Sequence, residues 1–150
     1  MICGIGVDIV QISAIEDSIR HYGESYLERM FTRKEIDYCS AVPTYAQRYA
    51  GRIAAKEAAM KALGTGWDAG VEWLDFEVTN EFSGTPKLTV YGVAAQMLQQ
   101  KGISKMWVSL SHRPDYAIAQ VIFERSWIRL LLWRLHHLYG NRTGVQISHY

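Results

Sequence analysis

Residues 44–66 read TYAQRYAGRIAAKEAAMKALGTG and predict one long, alanine-rich helix. Thr44, followed three positions later by Gln47, has the spacing of a helix N-terminus in which a threonine hydroxyl accepts a backbone N–H. Gly64 marks the other end, because glycine readily takes the left-handed conformation that terminates helices. The small side chains of this helix favour the close approach of another element.

The segments before this helix predict one strand and further helices. Residues 2–10 are apolar apart from two glycines and one aspartate, which predicts a central strand. A helical pattern over residues 12–30 is broken near Gly23. Thr32 with Glu35 has the capping-box spacing, so we expect a short helix to begin there.

The segments after the long helix predict two hairpins and one more helix. The expected elements are a strand at residues 73–80 with its partner at 87–91, a helix at 92–101, and a second hairpin of residues 105–112 and 116–124. Strands and helices mix without regular βαβ alternation. This order favours an α+β fold, with a largely antiparallel sheet packed with the long central helix.

Length and composition indicate one intracellular domain. The 150 residues carry a net charge of +1, so no global nucleic-acid signature is present. Cys3 and Cys39 have no Cys-x-x-Cys spacing and are interpreted as reduced core residues. No basic segment followed by an apolar one opens the chain, so secretion is not expected and the predicted location is cytoplasmic.

The end of the chain differs from the rest. Residues 1–125 hold 13 Lys or Arg against 15 Asp or Glu, whereas residues 126–150 hold three Arg and no acid. Residues 126–139 fit an amphipathic helix and residues 140–150 a loose tail. We therefore divide the chain into a domain at 1–125 and an appended segment at 126–150, whose helix is expected to pack on protein in preference to a membrane surface.

Two carboxylates and a lysine are the candidate catalytic groups. Glu57 and Lys61 lie about 40° apart on an ideal helix, which also fits a plain surface ion pair. Asp8 interrupts an apolar strand, and a carboxylate there is best explained by an ion. Asp8 and Glu57 together suit Mg²⁺, which takes few protein ligands and retains much of its water. The five histidines show no zinc-ligand spacing.

A basic stripe and several turns are the candidate binding groups. Arg48, Arg52 and Lys56 follow one another along the long helix at four-residue spacing. The turn at residues 83–86 and the strand end at 109–112 offer hydroxyl groups for phosphate or adenine. For residues 109–112, an equally weighted interpretation is that the side chains only fill the sheet. A serine–histidine nucleophile is disfavoured there because adjacent side chains on a strand point apart.

Taken in order, these segments resemble the holo-acyl-carrier-protein synthases, the small class of 4'-phosphopantetheinyl transferases. The similarity runs through residues 1–125 and is most specific at residues 56–61, KEAAMK, which match the family's Lys-Glu-Ala-x-x-Lys signature. One departure is Ala14, where the family commonly has an arginine on the helix that meets the acidic carrier protein. Arg20, His21 and Arg29 are the basic groups nearby.

The resemblance implies a 4'-phosphopantetheinyl transferase fold and a reaction of fatty acid biosynthesis. The 4'-phosphopantetheine arm of coenzyme A would pass to a serine of apo-acyl carrier protein, with release of 3',5'-ADP. It also implies Mg²⁺ on Asp8 and Glu57, charge neutralisation by Lys61, and a homotrimer with active sites between subunits. The implied coenzyme A contacts are Arg48, Arg52, Lys56, Lys61, Gly64, Thr65, Ser83, Gly84, Pro86, Ser111 and His112.

A non-catalytic nucleotide- or RNA-binding module is the competing hypothesis. In that case Arg48, Arg52 and Lys56 would hold the ligand, and Asp8 and Glu57 would be structural. Such a module needs no metal, so dependence of ligand binding on Mg²⁺ separates the two. A broader-range transferase of secondary metabolism usually needs two fused domains in about twice this length.

Overall fold

The computed structural model describes residues 1–65 and 70–126. The elements, in chain order, are β1 (Ile2–Gln11), α1 (Ile12–Tyr22), α2 (Glu24–Met30), α3 (Arg33–Ser40), α4 (Tyr45–Leu63), a 3₁₀ turn (Trp73–Asp75), β2 (Phe76–Asn80), β3 (Pro86–Val90), α5 (Gly92–Gln100), β4 (Ile103–His112) and β5 (Tyr116–Arg125). The predicted α+β class is confirmed.

The strands form two antiparallel sheets. One sheet has the order β1-β5-β4, and β2 and β3 form a separate hairpin. The prediction that residues 2–10 form a central strand is therefore wrong, because β1 lies at the edge of its sheet. Asp8 also does not end the strand, which continues to Gln11 with Asp8 opposite Ala119.

Helix α4 packs directly against β1 at positions that admit only glycine. A Cβ at Gly4 would overlap the carbonyl oxygen of Ala62, and one at Gly6 would overlap that of Ala58. Alanine on the helix and glycine on the strand thus bring the two backbones together, as the small residues of the helix predict. Alternation along β1 then directs Asp8 to the same side of the sheet as Gly6.

Two apolar clusters surround α4. The larger lies between α4, the sheet, the hairpin and α5, and includes Ala58, Leu63, Val78, Leu98 and Phe123. The smaller joins α1, α2 and α3 to the first half of α4, and includes Ile12, Ile15, Phe31, Cys39, Tyr49 and Ile53. Helix α4 is therefore buried on most of its circumference, which explains why its sequence shows so little polar surface.

The structure confirms some of the predicted ends of helices and strands and contradicts others. The capping box is confirmed at Thr32, whose hydroxyl accepts the Glu35 N–H while the Glu35 carboxylate accepts the Thr32 N–H. It is wrong at Thr44, which precedes α4 without a side-chain cap bond. Gly64 ends α4 in the left-handed conformation with φ of 70°. The strand expected from residue 73 begins only at Phe76, after the 3₁₀ turn.

Three other expectations concern the chain's surface and its end. Cys39 is buried as expected, but Cys3 is exposed. In the described part of the chain no helix is long and apolar enough to cross a bilayer. The helix predicted at residues 126–139 and the tail at 140–150 fall outside the described residues, apart from Ser126.

The face of the three-stranded sheet opposite α4 is open and apolar. Its side chains come from all three strands, and those of Ile5, Val7, Ile9, Trp107 and Ile118 are between 41% and 62% exposed. Contiguous apolar surface of this kind is typical of an interaction site. We call these five residues the open sheet face.

Candidate active site

Asp8, Glu57 and Lys61 form one cluster where β1 meets α4. Lys61 Nζ donates to Asp8 Oδ1 over 2.6 Å and to the Val7 carbonyl over 3.3 Å. The Asp8 side chain is 10% exposed and that of Lys61 54% exposed. We call these three residues the acidic cluster, since two carboxylates in it share a single lysine.

The charges of the acidic cluster are coupled. Burial raises the pKa of Glu57, and the nearby carboxylate of Asp8 raises it further, whereas Lys61 opposes the shift. The hydrogen bond to Asp8 raises the pKa of Lys61, so this ammonium stays charged over the physiological range. With both carboxylates ionised, the cluster retains one negative charge that a bound cation would balance.

The donor set of the acidic cluster fits Mg²⁺. Within residues 1–65 and 70–126, no group of three or more His, Cys, Asp or Glu side chains is placed to hold a metal ion. Two carboxylates with a partly exposed rim instead match an ion that keeps several waters and binds substrate phosphates. A zinc or calcium cage would need more protein ligands.

A second cluster lines a cavity of about 440 Å³ beside the first half of α4. Its walls come from α3 and α4, from the β2–β3 hairpin and from the end of β4. The lining residues are Tyr38, Thr44, Gln47, Arg48, Gly51, Arg52, Asn80, Gly84, Pro86, Leu110, Ser111 and His112. We call this the basic cavity.

Two stacked guanidinium groups give the basic cavity its charge. Arg48 and Arg52 lie 4.3 Å and 4.5 Å from the centre of the Tyr38 ring. Arg48 donates to the Tyr38 carbonyl, and Arg52, only 4% exposed, donates to Asn80 Oδ1 over 2.6 Å. The buried Arg52 Nε has no hydrogen-bond partner within residues 1–65 and 70–126.

Among the described residues, neither guanidinium group of the basic cavity has an acidic partner. No carboxylate of the described residues forms a salt bridge with Arg48 or Arg52. Arginines in such a position suit phosphate, which accepts charge-assisted hydrogen bonds from the planar guanidinium group. The basic cavity is therefore equipped for an anionic ligand.

The acidic cluster and the basic cavity face different sides of α4. Arg52 and Glu57 are five positions apart, which places them about 140° apart around a helix. The lining of the basic cavity includes none of Asp8, Glu57 and Lys61. In a single chain, the acidic cluster and the basic cavity are thus separate.

The predicted coenzyme A contacts lie in several separate parts of the structure. Six of them line the basic cavity: Arg48, Arg52, Gly84, Pro86, Ser111 and His112. Gly64 and Thr65 follow the end of α4 near Lys61, and the Ser83 hydroxyl contacts that of Thr85. Lys56 requires a correction, because it is fully buried, with its Nζ 2.8 Å from Glu35, and cannot reach a ligand at the surface.

Several residues of the site carry no sequence signal. Tyr38 and Asn80 order the two arginines, yet they lie on α3 and β2, and only the tertiary fold brings them to α4. Tyr26 of α2 also approaches the acidic cluster. Burial raises the pKa of Tyr26, a hydrogen bond with Ser18 lowers it, and the charge of Glu57 raises it.

Comparison with known proteins identifies relatives along residues 1–125. The sequence model of the 4'-phosphopantetheinyl transferase superfamily matches residues 4–121. A holo-[acyl-carrier-protein] synthase of Koribacter versatilis is 47% identical over 124 residues, which cover 83% of this chain and 99% of the relative.

Solved structures give the same result. The crystal structure of holo-[acyl-carrier-protein] synthase from Neisseria meningitidis has a TM-score of 0.76 at 30% identity, over 83% of this chain and all of the other. The Helicobacter pylori enzyme in complex with coenzyme A has a TM-score of 0.71 at 30% identity, over 80% of this chain and 99% of the other. The chain belongs to the 4'-phosphopantetheinyl transferase superfamily.

Proposed function

We propose that this protein transfers the 4'-phosphopantetheine group from coenzyme A to a serine of apo-acyl carrier protein, as a holo-[acyl-carrier-protein] synthase. The observation that carries the proposal is the acidic cluster, in which Lys61 Nζ and Asp8 Oδ1 are 2.6 Å apart beside Glu57. The relatives named above are synthases of this kind, and one was solved with coenzyme A.

The transfer is a displacement at phosphorus. The oxygen of the carrier serine forms a bond to the β-phosphorus of coenzyme A, and the bond from that phosphorus to the bridging oxygen breaks. The products are the phosphopantetheinyl serine and 3',5'-ADP. The carrier provides the nucleophile, so this chain needs no reactive serine or cysteine of its own.

Each member of the acidic cluster has a separate role in this reaction. Glu57, or a water that it orients, accepts the serine proton. Lys61 neutralises charge that develops on the phosphate. Asp8 and Glu57 would hold Mg²⁺, which when bound polarises the phosphorus and offsets charge on the leaving group.

The basic cavity is proposed to bind the nucleotide end of coenzyme A. Arg48 and Arg52, which both line the cavity, are suited to the 3'-phosphate and the pyrophosphate. Ser111 and His112 add a hydroxyl and an imidazole at the same wall. The cavity would thus contribute affinity, whereas the acidic cluster contributes rate.

We propose that the protein assembles as a homotrimer through the open sheet face. Ile5, Ile9 and Trp107 belong to this face and leave apolar area that association would bury. Assembly also offers a way to bring the acidic cluster of one subunit to the basic cavity of its neighbour. The complete site would then lie between subunits.

The carrier protein and the compartment complete the proposal. Helices α1 and α2 carry Arg20, His21 and Arg29, which we expect to face an acidic carrier. The thiols of Cys3 and Cys39 are free, as expected in a reducing compartment, and we propose the cytoplasm.

One assay tests the function. Apo-acyl carrier protein, coenzyme A, Mg²⁺ and this protein are incubated, and the carrier is analysed by intact mass spectrometry. The expected result is a mass increase of one phosphopantetheinyl group, with 3',5'-ADP in the supernatant and no product when EDTA is present. Binding of coenzyme A without a mass change, with or without Mg²⁺, would favour the non-catalytic binding module.

A further inference from the structure

We infer that the buried ion pair between Lys56 and Glu35 is a positioning device that sets the orientation of Glu57. The inference rests on the proposed function, because it assigns Glu57 to the reacting centre. Lys56 precedes Glu57 directly in the chain, yet its side chain is 0% exposed and reaches Glu35 on α3. Lys56 and Glu57 are neighbours in one motif but therefore have different roles.

The ammonium group of Lys56 is completely satisfied. Nζ lies 2.8 Å from Glu35 Oε2, 2.8 Å from the Met30 carbonyl and 3.2 Å from the Trp73 carbonyl. An ammonium has three donors, so every N–H has an acceptor. Burial lowers the pKa of Lys56, and the charge and hydrogen bond of Glu35 oppose that shift.

The carboxylate of Glu35 extends the network to other elements. Oε1 accepts the Val78 N–H over 2.9 Å, and Oε2 accepts the Thr32 N–H over 2.8 Å as part of the capping box. Through this pair, the end of α2, the start of α3, the 3₁₀ turn and β2 are all joined to a single point on α4. We call this network the lysine hub.

The lysine hub and the sheet hold α4 from opposite sides. At about 100° per residue, Lys56 and Ala58 are about 200° apart, and Glu57 lies about 100° from each. Ala58 is fixed against β1, where even a methyl group at Gly6 would overlap its carbonyl oxygen. Lys56 is fixed by the hub, so α4 cannot rotate about its axis, and Glu57 is directed to Asp8.

A gain in stability alone does not explain why the Lys56–Glu35 ion pair is buried. Two opposite charges lose their hydration on burial, and apolar side chains of similar volume often serve a core as well or better. Contacts between apolar side chains have no preferred direction. A hydrogen-bonded ammonium, in contrast, must meet its acceptors at defined angles. The hub therefore specifies the rotation of the helix that carries Glu57.

The test compares a neutral hub with a destabilised control. In the double variant Lys56→Met with Glu35→Gln, the glutamine keeps an oxygen for the Val78 N–H and no unpaired charge remains. Leu98→Ala, in the larger apolar cluster on α5, lowers stability, and Leu98 takes no part in the hydrogen bonds of the hub. Both are assayed with the wild type at a temperature where circular dichroism shows all three to be folded.

We expect the double variant to lose at least tenfold in kcat, with KM for coenzyme A changed less than twofold. We also expect at least tenfold weaker binding of Mn²⁺, measured by electron paramagnetic resonance without substrates. Leu98→Ala should retain wild-type kcat and Mn²⁺ affinity. If the double variant does not fold, Lys56→Gln with Glu35→Gln, which keeps a hydrogen bond across the pair, is taken through the same measurements.

Two results would overturn the inference. A kcat and an Mn²⁺ affinity equal to those of Leu98→Ala would make the hub structural only. A raised KM for coenzyme A at unchanged kcat would mean that Lys56 acts on the substrate. Weakened Mn²⁺ binding in the double variant supports the inference even if the wild type transfers nothing, an outcome that would reject the proposed function alone.

Discussion

The acidic cluster and the basic cavity use the same helix in opposite ways. In the cluster, two carboxylates share Lys61, and negative charge is in excess. In the cavity, Arg48 and Arg52 stack on one tyrosine without any carboxylate partner from the described residues. Under the proposed function, reactivity and affinity are assigned to separate sides of α4. A substitution on one side should therefore change rate, and one on the other should change binding.

The largest expected effect comes from the two carboxylates. Asp8→Asn and Glu57→Gln should each lower transfer by about 10²- to 10⁴-fold, because metal binding and proton acceptance are lost while the side-chain volume is kept. Initial rates from carrier mass spectrometry measure this, with circular dichroism as a check of folding. Glu81→Gln, on the exposed hairpin turn, is the control and should retain the wild-type rate of transfer. Near-normal turnover in either variant at low Mg²⁺ would remove that residue from the site.

Lys61 should give the next largest effect. Lys61→Ala is expected to lower kcat by about 10²-fold and to raise KM for coenzyme A much less, because phosphate charge is greatest in the transition state. Steady-state kinetics separate the two constants, and the exposed Lys87→Ala serves as control. If only KM changes, Lys61 belongs with the binding groups and the division between the two sides fails.

Arg48 should show the reverse pattern. Arg48→Ala is expected to raise KM for coenzyme A about tenfold and to leave kcat nearly unchanged, since a phosphate contact made equally in ground and transition states affects binding only. Arg33→Ala provides a matched arginine whose side chain is 77% exposed and paired with Asp37. A fall in kcat at saturating coenzyme A would contradict a pure binding role for the cavity.

The smallest effect concerns the stability of β2. Glu77 of β2 is buried, which alone would raise its pKa, but hydrogen bonds from Thr32, Tyr91 and Lys34 lower the pKa below the ordinary value. The stabilisation from these contacts is therefore complete above the unfolded pKa, about 4.3, and is lost as pH falls through the lower folded pKa.

Glu77→Gln checks this pH dependence. The variant should have a free energy of unfolding about 1–3 kcal/mol lower at pH 7, and the difference should narrow in acid. Urea unfolding at a series of pH values measures it, with the exposed Glu72→Gln as control. A difference that stays constant down to pH 3 would show that the charge of Glu77 contributes nothing.

Local patterns predicted most of the fold and the proximity of Glu57 to Lys61 on one side of α4. The capping box at Thr32, the end of α4 at Gly64 and the hairpins follow from short-range chemistry. Glu57 and Lys61 share a side of one helix, so their proximity also needs no tertiary information. These features depend on neighbours within four residues.

The errors concern partners that are distant in sequence. A strand does not reveal from its own residues whether it lies at an edge, so β1 was misplaced. Lys56 continues the stripe of Arg48 and Arg52, and only Glu35, which is 21 positions away, explains why it is buried. Thr44 has the spacing of a cap, but its backbone conformation does not allow the bond. Tertiary contacts decided the positions of β1 and Lys56.

In the proposed trimer, the two sides of α4 form one site between subunits. This arrangement is tested with a mixture of Asp8→Asn and Arg48→Glu chains that are unfolded and refolded together and assayed at low coenzyme A. In mixed trimers, some interfaces combine an intact acidic cluster with an intact basic cavity, so activity should clearly exceed the sum of the two variants refolded alone. Activity equal to that sum, with native mass spectrometry showing mixed trimers, would contradict the claim.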